Sequence, residues 1–269
     1  MKVAGKVIVV TGGGNGMGRE VVLELLRRGA RVAAVDIRQE SLDATATLAN
    51  AGDRLATFQL DITDRAAVEA LPGRVEAVLD APDGVVNVAG IIQPFVTLAE
   101  LDYDVIERVI NVNLYGTIHM VKAFLPGLLQ RPVAHVANVS SMGGFLPVPG
   151  QTVYGASKAA VKLMTEGLYA ELRDTRVAVS LIFPGAVKTD ITANSGVETP
   201  GGAAAAEKGS KLPMTTAEDA GRMIVDGIED DRFHVFVGKD SRVLNLLNRV
   251  VPRQSTHLIQ RQMKSLLAK

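Results

Sequence analysis

The chain contains no cysteine and no tryptophan, and aromatic residues make up only 4% of it. Without thiols it cannot form disulfides, iron–sulfur clusters or thiolate zinc sites, and cysteine catalysis is excluded. A chain of this kind suits a reducing compartment, so we expect a cytoplasmic location. It also lacks an excess of charge of either sign, because 29 Lys and Arg balance 29 Asp and Glu. Nothing in this balance points to nucleic acid as a partner.

Long hydrophobic runs are missing as well. No stretch approaches the roughly 20 apolar residues that a membrane span needs. The apolar run at residues 7–10 is too short for a signal peptide and leads into glycines without a cleavage pattern. No metal site is expected, because the histidines are scattered and have no paired carboxylates at ligand spacing; they are His119, His135, His234 and His257. With no linker or repeat to divide them, the 269 residues are predicted to form one domain.

Short apolar runs alternate with helical patterns along the chain. The predicted strands cover residues 7–10, 31–35, 55–60, 84–88, 134–139, 177–183 and 233–237. The predicted helices cover residues 17–28, 40–50, 65–71, 102–129, 153–173 and 216–228. Such alternation is typical of stacked βαβ units. The fold class is therefore α/β, a doubly wound Rossmann fold whose mostly parallel, seven-stranded sheet carries helices on both faces.

A glycine-rich segment joins the first strand to the first helix. It reads Thr11-Gly12-Gly13-Gly14-Asn15-Gly16-Met17-Gly18. Only glycine lets a backbone turn this tightly and approach a pyrophosphate, and the helix N-terminus offers free N–H groups and a positive dipole end. Because a strand precedes the segment and a helix follows it, a dinucleotide site is predicted in preference to a plain turn.

Acidic residues at the ends of the next two strands indicate which dinucleotide the chain would bind. A carboxylate at Asp36 can accept hydrogen bonds from the adenosine ribose and repel a 2′-phosphate, although a solvated strand-end charge is the alternative. Neutral Asn15 also favours NAD, whereas nearby Arg38 would suit NADP. We therefore expect NAD, with NADP as the alternative. Asp61, just before Ile62, would either bond the adenine amino group or cap the following helix.

Tyr154 and Lys158 are the predicted centre of the chemistry. They lie four residues apart on a predicted helix and so leave the same face. An ammonium close to a phenol favours the phenolate, which lowers the phenol pKa from about 10 toward the working range. Ser141 ends the preceding strand, 13 residues before Tyr154, and its hydroxyl could bond a substrate carbonyl that is becoming an alkoxide.

Several motifs together resemble the short-chain dehydrogenase/reductase family in order and spacing. They are Thr11-Gly12-x-x-x-Gly16-x-Gly18, Asn87-Val88-Ala89-Gly90, Asn113, Ser141, Tyr154-x-x-x-Lys158 and Pro184-Gly185. The resemblance covers roughly residues 6–189. It implies an NAD-dependent oxidoreductase that acts on CH–OH groups and passes a hydride between nicotinamide and a secondary alcohol or ketone. One departure is Val88, where the family usually has a second asparagine; Asn87 is still expected to bond across the sheet.

The resemblance also implies the roles of four residues. Tyr154 would be the general acid or base, and Ser141, preferred to Ser140 by its spacing, would position the carbonyl. Lys158 would lower the tyrosine pKa and hold the nicotinamide ribose. Asn113 would hold a water molecule in a proton relay that starts from that lysine.

The predicted cofactor contacts follow the same motifs, and Thr189 among them would contact the nicotinamide carboxamide. The full set is Gly12, Asn15, Gly16, Met17, Gly18, Asp36, Asp61, Ile62, Asn87, Ala89, Gly90, Tyr154, Lys158, Pro184, Gly185, Val187 and Thr189. The rival interpretation is a non-catalytic NAD-binding sensor or scaffold.

Two irregular regions bear on substrate and partners. The stretch of about 190–213 is predicted to be the substrate loop. Residues 143–151 would form the opposite wall, whose apolar side chains favour a hydrophobic alcohol or ketone, with core or subunit contact as the alternative. The helical tail of about 240–269 has an apolar face that suggests association into a homodimer or homotetramer. Because Lys and Arg are interleaved there, a helix on an acidic membrane surface is the second interpretation.

Overall fold

A seven-stranded sheet forms the centre of the computed structural model, which describes residues 1–197, 214–263 and 267. Its strands are β1 (Val7–Thr11), β2 (Arg31–Asp36), β3 (Leu55–Gln59), β4 (Gly84–Asn87), β5 (Ala134–Val139), β6 (Val177–Pro184) and β9 (His234–Val237). Every neighbouring pair is parallel, in the order β3-β2-β1-β4-β5-β6-β9. The short strands β7 (Val187–Lys188) and β8 (Thr215–Thr216) pair separately. The predicted doubly wound fold is confirmed, and the main sheet is wholly parallel.

Helices connect the strands and cover both faces of the sheet. In the described part of the chain they are α1 (Gly16–Arg27), α2 (Gln39–Ala49), α3 (Arg65–Leu79), α4 (Tyr103–Ile110), α5 (Thr117–Leu128), α6 (Thr152–Glu171), α7 (Ile191–Asn194), α8 (Ala217–Glu229), α9 (Lys239–Val250) and α10 (Pro252–Met263). A π-helical segment, Asn111–Gly116, joins α4 to α5. None of these described helices is both long and apolar enough to cross a membrane.

Two apolar cores, one on each face, explain why the strands read as continuous apolar runs. In β1, Ile8 and Val10 belong to the core beneath α1 and α8, while Val7 and Val9 belong to the core beneath α3 and α5. Successive side chains of a strand point to opposite faces, so a strand buried on both faces needs an apolar residue at every position. Covering both faces leaves the strand ends as the accessible part of the sheet.

Two predicted helix boundaries were wrong. The helix predicted to end at residue 71 continues to Leu79, because Val75 and Leu79 extend the buried stripe of α3 past Pro72. In the tail, Pro252 and the return of an apolar helical pattern at Leu258 predict an interruption of the helix between these two residues. Pro252 is instead the first residue of α10, a position where its missing N–H costs nothing.

The order of the strands places a crevice between β1 and β4. The chain winds outward in one direction from β1 and in the other from β4, and ligands bind at such a switch point. The loops after these strands lie close together, since a Cβ built on Gly12 would be 3.1 Å from the nitrogen of Ala89. Most of the predicted substrate loop, residues 198–213, lies outside the described residues, as do residues 264–266 and 268–269 of the tail.

Candidate active site

A cavity of about 630 Å³ opens at the carboxyl ends of β1, β2 and β4. Eleven of the predicted cofactor contacts line it: Gly12, Asn15, Gly16, Met17, Gly18, Asp36, Asp61, Ile62, Ala89, Gly90 and Thr189. The predicted contacts that do not line it are Asn87, Tyr154, Lys158, Pro184, Gly185 and Val187. The cavity therefore gathers the residues predicted for the dinucleotide's phosphates and adenosine together with Thr189, predicted for the nicotinamide, and the predicted catalytic residues lie beyond its wall.

The glycine loop has a backbone that side chains would obstruct. Gly12 has a φ of +69°, and a Cβ on Gly18 would collide with the carbonyl of Gly12. Asn15 is the N-cap of α1, where its side-chain oxygen accepts a 2.7 Å hydrogen bond from the nitrogen of Gly16. The loop thus presents bare backbone and the positive end of α1 to the cavity, which is what a pyrophosphate requires.

Asp36 and Arg38 place opposite charges at the same side of the cavity. The Asp36 carboxylate accepts hydrogen bonds from the nitrogens of Gly14 at 3.0 Å and Arg38 at 3.1 Å. Each carboxylate oxygen therefore keeps capacity for a further donor. The Arg38 guanidinium donates to Asn194 Oδ1 at 2.7 Å. A ribose hydroxyl could use Asp36, and a phosphate could compete for Arg38.

The alternative role of Asp61 as a helix cap is wrong. Its Oδ1 accepts hydrogen bonds from the nitrogen and hydroxyl of Thr63, each at 2.8 Å. The cap of α3 is Asp64, whose carboxylate accepts from the nitrogen of Ala67 at 3.1 Å. The adenine contact of Asp61 stays a prediction, and its exposed position on the cavity wall suits that contact.

Ser141 and Tyr154 meet beside the start of α6. A Cβ built on Gly143 would lie 3.3 Å from Tyr154 Cε1 and 3.4 Å from Ser141 Oγ, and Ser141 Oγ accepts a hydrogen bond from the nitrogen of Gly143 at 2.9 Å. The neighbouring Ser140 is buried, and its hydroxyl donates to the carbonyl of Lys158 at 2.7 Å. Ser140 thus fastens strand to helix, while Ser141 is the serine that faces the phenol.

Lys158 is a buried cation, with only 4% of the residue exposed. Its ammonium donates to the carbonyl of Val139 at 3.1 Å, and desolvation by burial lowers its pKa to about 8. A Cβ on Gly90 would lie 3.0 Å from Lys158 Nζ and 3.2 Å from Asn113 Oδ1. Because Gly90 lines the cavity, the lysine and the asparagine lie directly behind this part of its wall.

The pKa of Tyr154 departs from the expectation drawn from the sequence. Lys158 was expected to lower the pKa of Tyr154, but that pKa is raised above 10. Burial of the phenol disfavours the phenolate, and hydrogen bonding by Ser141 lowers the pKa only enough to offset part of this shift. The protein alone therefore keeps the phenol protonated.

Asn113 lies in the π-helical segment and is completely buried. Its side chain accepts from the nitrogen of Ile91 and donates to the carbonyl of Ile91 and to Ser157 Oγ, all at 2.9 Å. These bonds tie the loop after β4 to helix α6. The side-chain amide is thus engaged with protein groups, and the relay water predicted for Asn113 stays a prediction.

Gln93 is a residue of this site that the sequence did not reveal. It is fully buried, and its Oε1 accepts from the nitrogens of Val153 at 2.8 Å and Tyr154 at 3.0 Å. Its Nε2 donates to the carbonyl of Gly150 at 3.0 Å, and Gln151 donates to the Gln93 carbonyl at 2.7 Å. Gln93 therefore caps the helix that carries Tyr154 from a loop about 60 residues away.

The predicted bond across the sheet is present. Asn87 Nδ2 donates to Asn138 Oδ1 at 2.8 Å. The backbone nitrogens of Val88 and Ala89 both donate to the hydroxyl of Thr11, at 3.1 and 3.2 Å. The loop after β4 is therefore anchored through its backbone, although Val88 stands where the family usually has asparagine.

The Pro184-Gly185 turn is held by a residue from α9. The buried carboxylate of Asp240 accepts from the nitrogen of Ala186 at 2.7 Å and occupies the space that a side chain at Gly185 would need. This contact fixes the turn that precedes β7, where Val187 pairs with Thr215.

The apolar wall at residues 143–151 is partly core. Leu146 is buried, and Phe145 packs edge-on against Phe183 with ring centroids 5.5 Å apart. Val148 and Pro149 keep partly exposed side chains. The core interpretation is therefore confirmed for Phe145 and Leu146, and the substrate wall stays a prediction for Val148 and Pro149. Among the described residues, no group of His, Asp and Glu could hold a metal ion.

Comparisons with known proteins agree with this geometry. A family model described as short chain dehydrogenase matches residues 6–199. A relative from Mycobacterium tuberculosis, named as an oxidoreductase (SadH), is 32% identical over 260 residues, which cover 95% of this chain and 94% of the relative.

Two solved structures are similar over nearly the whole chain. One is a short chain dehydrogenase/reductase from Burkholderia phymatum in complex with NAD, with a TM-score of 0.83, 28% identity and 96% coverage of both chains. The other is a short chain dehydrogenase from Burkholderia cenocepacia in complex with NADP. Its TM-score is 0.80 and its identity 26%, over 96% of this chain and 99% of that one.

Replacing the buried cation should raise stability while removing activity. At neutral pH the Lys158→Met variant should have a higher free energy of unfolding than the wild type, by on the order of 1–3 kcal/mol. Because the lysine pKa falls from 10.5 to about 8 on folding, the unfolded chain binds more protons between these values. Wild-type stability should therefore rise across that window relative to the variant. Urea unfolding at a series of pH values measures this, with exposed Lys122→Met as the control; a less stable variant at pH 7 would contradict it.

Removing the cap that Gln93 provides for helix α6 should impair catalysis more than cofactor binding. Gln93→Leu leaves two N–H groups at the start of α6 unbonded, so we expect kcat to fall about tenfold or more through misplacement of Tyr154. Gln93→Glu keeps the acceptor and should restore kcat at high pH, while its negative charge moves the basic limb of the pH profile upward. A purely structural residue would lower the melting temperature and leave kcat and the pH profile unchanged.

Proposed function

The chain belongs to the short-chain dehydrogenase family, and on that basis we propose that it transfers a hydride between NAD and a secondary alcohol or ketone. The observation that carries the proposal is that Ser141 lies next to Tyr154, one helical turn from the buried Lys158. These groups lie at the end of a parallel sheet, next to a cavity lined by a glycine loop. Membership makes the protein an oxidoreductase; the cofactor, the substrate class and the residue roles are our proposal.

The residues of the cavity fit a nicotinamide dinucleotide. Gly12, Gly16 and Gly18 leave room for phosphates at the positive end of α1. Asp36 offers a carboxylate to a ribose. Among the described residues, the Lys158 ammonium donates to one carbonyl oxygen, that of Val139. Ribose hydroxyls would supply acceptors for the lysine's remaining N–H groups.

Asp36 supports NAD as the cofactor. Its negative charge would repel the 2′-phosphate of NADP, whatever the contribution of Arg38 on the same wall. The two similar solved structures hold NAD in one case and NADP in the other. Charge at this one position is therefore the feature on which the choice of NAD rests.

The proposed mechanism assigns a proton to the phenol. Ser141 donates a hydrogen bond to the substrate oxygen, and Tyr154 gives that oxygen a proton during reduction or removes it during oxidation. When bound, the nicotinamide supplies the hydride carrier and, in its oxidised form, a positive charge. Lys158 adds its own positive charge and so favours the phenolate, against the burial that raises the pKa of Tyr154. Asn113 would support the water that exchanges this proton with solvent.

A hydrophobic substrate is favoured by the wall of residues 143–151. The side chains of Val148 and Pro149 are partly exposed, and Phe145 is half-buried beside them. None of the residues in this wall is charged, so a carboxylate substrate would find no cation there. We therefore propose an aliphatic or aromatic alcohol or ketone.

Removing the phenolic hydroxyl should abolish turnover and leave cofactor binding intact. We expect Tyr154→Phe to lower kcat by about 10²–10⁴-fold on a substrate found by screening alcohols and ketones for a change in NADH absorbance. The affinity for NADH, measured by fluorescence, should change little, because the ring is kept. Full turnover by the variant would contradict the assignment, and NADH binding by a wild type that turns over no compound of the panel would favour a sensor.

Removing the charge of Asp36 should weaken the preference for NAD. Asp36→Asn keeps an oxygen that can accept from Gly14 but removes the repulsion of a 2′-phosphate beside Arg38. We expect the ratio of kcat/KM for NAD to that for NADP to fall at least about tenfold, equivalent to roughly 1.4 kcal/mol. Asp61→Asn is the matched control, since an adenine contact affects both cofactors alike and leaves the ratio unchanged. An unaltered ratio in Asp36→Asn would refute the proposed basis for selectivity.

A further inference from the structure

The end of the chain is strongly basic although the whole chain is neutral. The last 29 residues contain six basic residues and no Asp or Glu: Arg242, Arg249, Arg253, Arg261, Lys264 and Lys269. The preceding 240 residues contain 23 basic and 29 acidic residues. The one carboxylate at the start of α9, Asp240, is buried against the Pro184-Gly185 turn. The tail therefore presents positive charge without nearby compensation on its own helices.

Helix α9 also exposes an apolar stripe. Val243, Leu246 and Val250 are 61%, 64% and 70% exposed, and their spacing of three and four residues places them on one face. Arg242 and Arg249 are exposed directly beside them in the sequence. We call these five residues the basic apolar surface. Leu258 of α10 adds a further partly exposed aliphatic side chain.

We propose that the basic apolar surface docks on an anionic lipid bilayer, with α9 lying in the plane of the interface. Aliphatic side chains of such a helix enter the boundary between headgroups and acyl chains, while adjacent arginines stay among the phosphates. Arginine suits this position because its long stem is apolar and its guanidinium binds phosphate oxygens. Charge complementarity thus selects the occupant, since an uncharged bilayer would satisfy only the aliphatic residues.

A second copy of the chain fits the same surface poorly. In a two-fold contact each patch meets itself, so the arginines of one copy would face those of the other. Four partly exposed aliphatic side chains also fall short of the roughly 800 Å² per partner that a stable interface buries. Oligomers of this protein would then form through other faces.

Docking of the tail would bring the bilayer next to the wall of residues 143–151. Asn248 of α9 donates to the carbonyl of Phe145 at 2.8 Å. Leu267 lies close to Gly150, since a Cβ there would be 3.0 Å from Leu267 Cδ2. The tail therefore packs on the apolar wall of residues 143–151, and a docked bilayer would lie beside it. A route for lipophilic substrates from the membrane rests on the proposed function; the docking itself does not.

Flotation of the purified full-length chain with lipid vesicles tests the proposal. Wild-type protein should float with vesicles of phosphatidylcholine and phosphatidylglycerol, far less with phosphatidylcholine alone, and should be released by high salt. Leu246→Glu combined with Arg249→Glu should reduce the bound fraction at least tenfold. The matched control is Leu48→Glu combined with Lys122→Glu, because Leu48 is 63% exposed and Lys122 is an exposed cation; it should bind like the wild type.

Three results would overturn the proposal. They are absence of wild-type binding to the anionic vesicles, equal loss in the control variant, and retained binding in the Leu246→Glu, Arg249→Glu variant. A smaller sedimentation coefficient for this variant, with no vesicle binding by the wild type, would assign the surface to a second copy instead. Flotation needs neither cofactor nor substrate, and NADH binding by every variant reports separately on the fold and on the proposed function.

Discussion

The burial of the Lys158 ammonium is the constraint on which the site depends. Desolvation lowers the pKa of this lysine to about 8, and its described hydrogen bond is to one carbonyl at the end of β5. An ammonium in such surroundings destabilises the fold unless further acceptors reach it. The position beside Gly90, on the wall of the dinucleotide cavity, is where such acceptors would arrive. The buried ammonium therefore favours a ligand that brings hydrogen-bond acceptors, and its charge acts on the neighbouring phenol of Tyr154.

The surrounding elements hold this arrangement from three sides. Ser140 bonds the carbonyl of Lys158 and so fastens β5 to α6. Asn113 connects the π-helical segment to both α6 and the loop after β4. Gln93 caps the start of α6 at Tyr154. Each of these residues is buried, and together they fix the catalytic helix against the two loops that border the cavity.

Local patterns predicted the strands and the catalytic pair, because burial on both faces and a spacing of four residues are visible in the sequence. Interactions that depend on long-range packing were not predictable. Gln93 meets Tyr154 across about 60 residues, and a lone glutamine carries no local signal. The pKa of Tyr154 depends on how much protein surrounds the phenol, which spacing to Lys158 does not specify. The sequence offered Asp61 as a cap for the following helix, but the backbone path places Asp64 at the N-cap of α3.

The most direct test of this account is the pKa of Tyr154 with and without cofactor. Tyrosinate absorbance can be titrated in the wild type, with the Tyr154→Phe protein as the blank. We expect a pKa above 10 in the protein alone, because burial raises it, and a value at least about two units lower with bound NAD⁺, whose positive charge joins that of Lys158. An identical pKa in both states would contradict the claim that Tyr154 is the proton-transferring group.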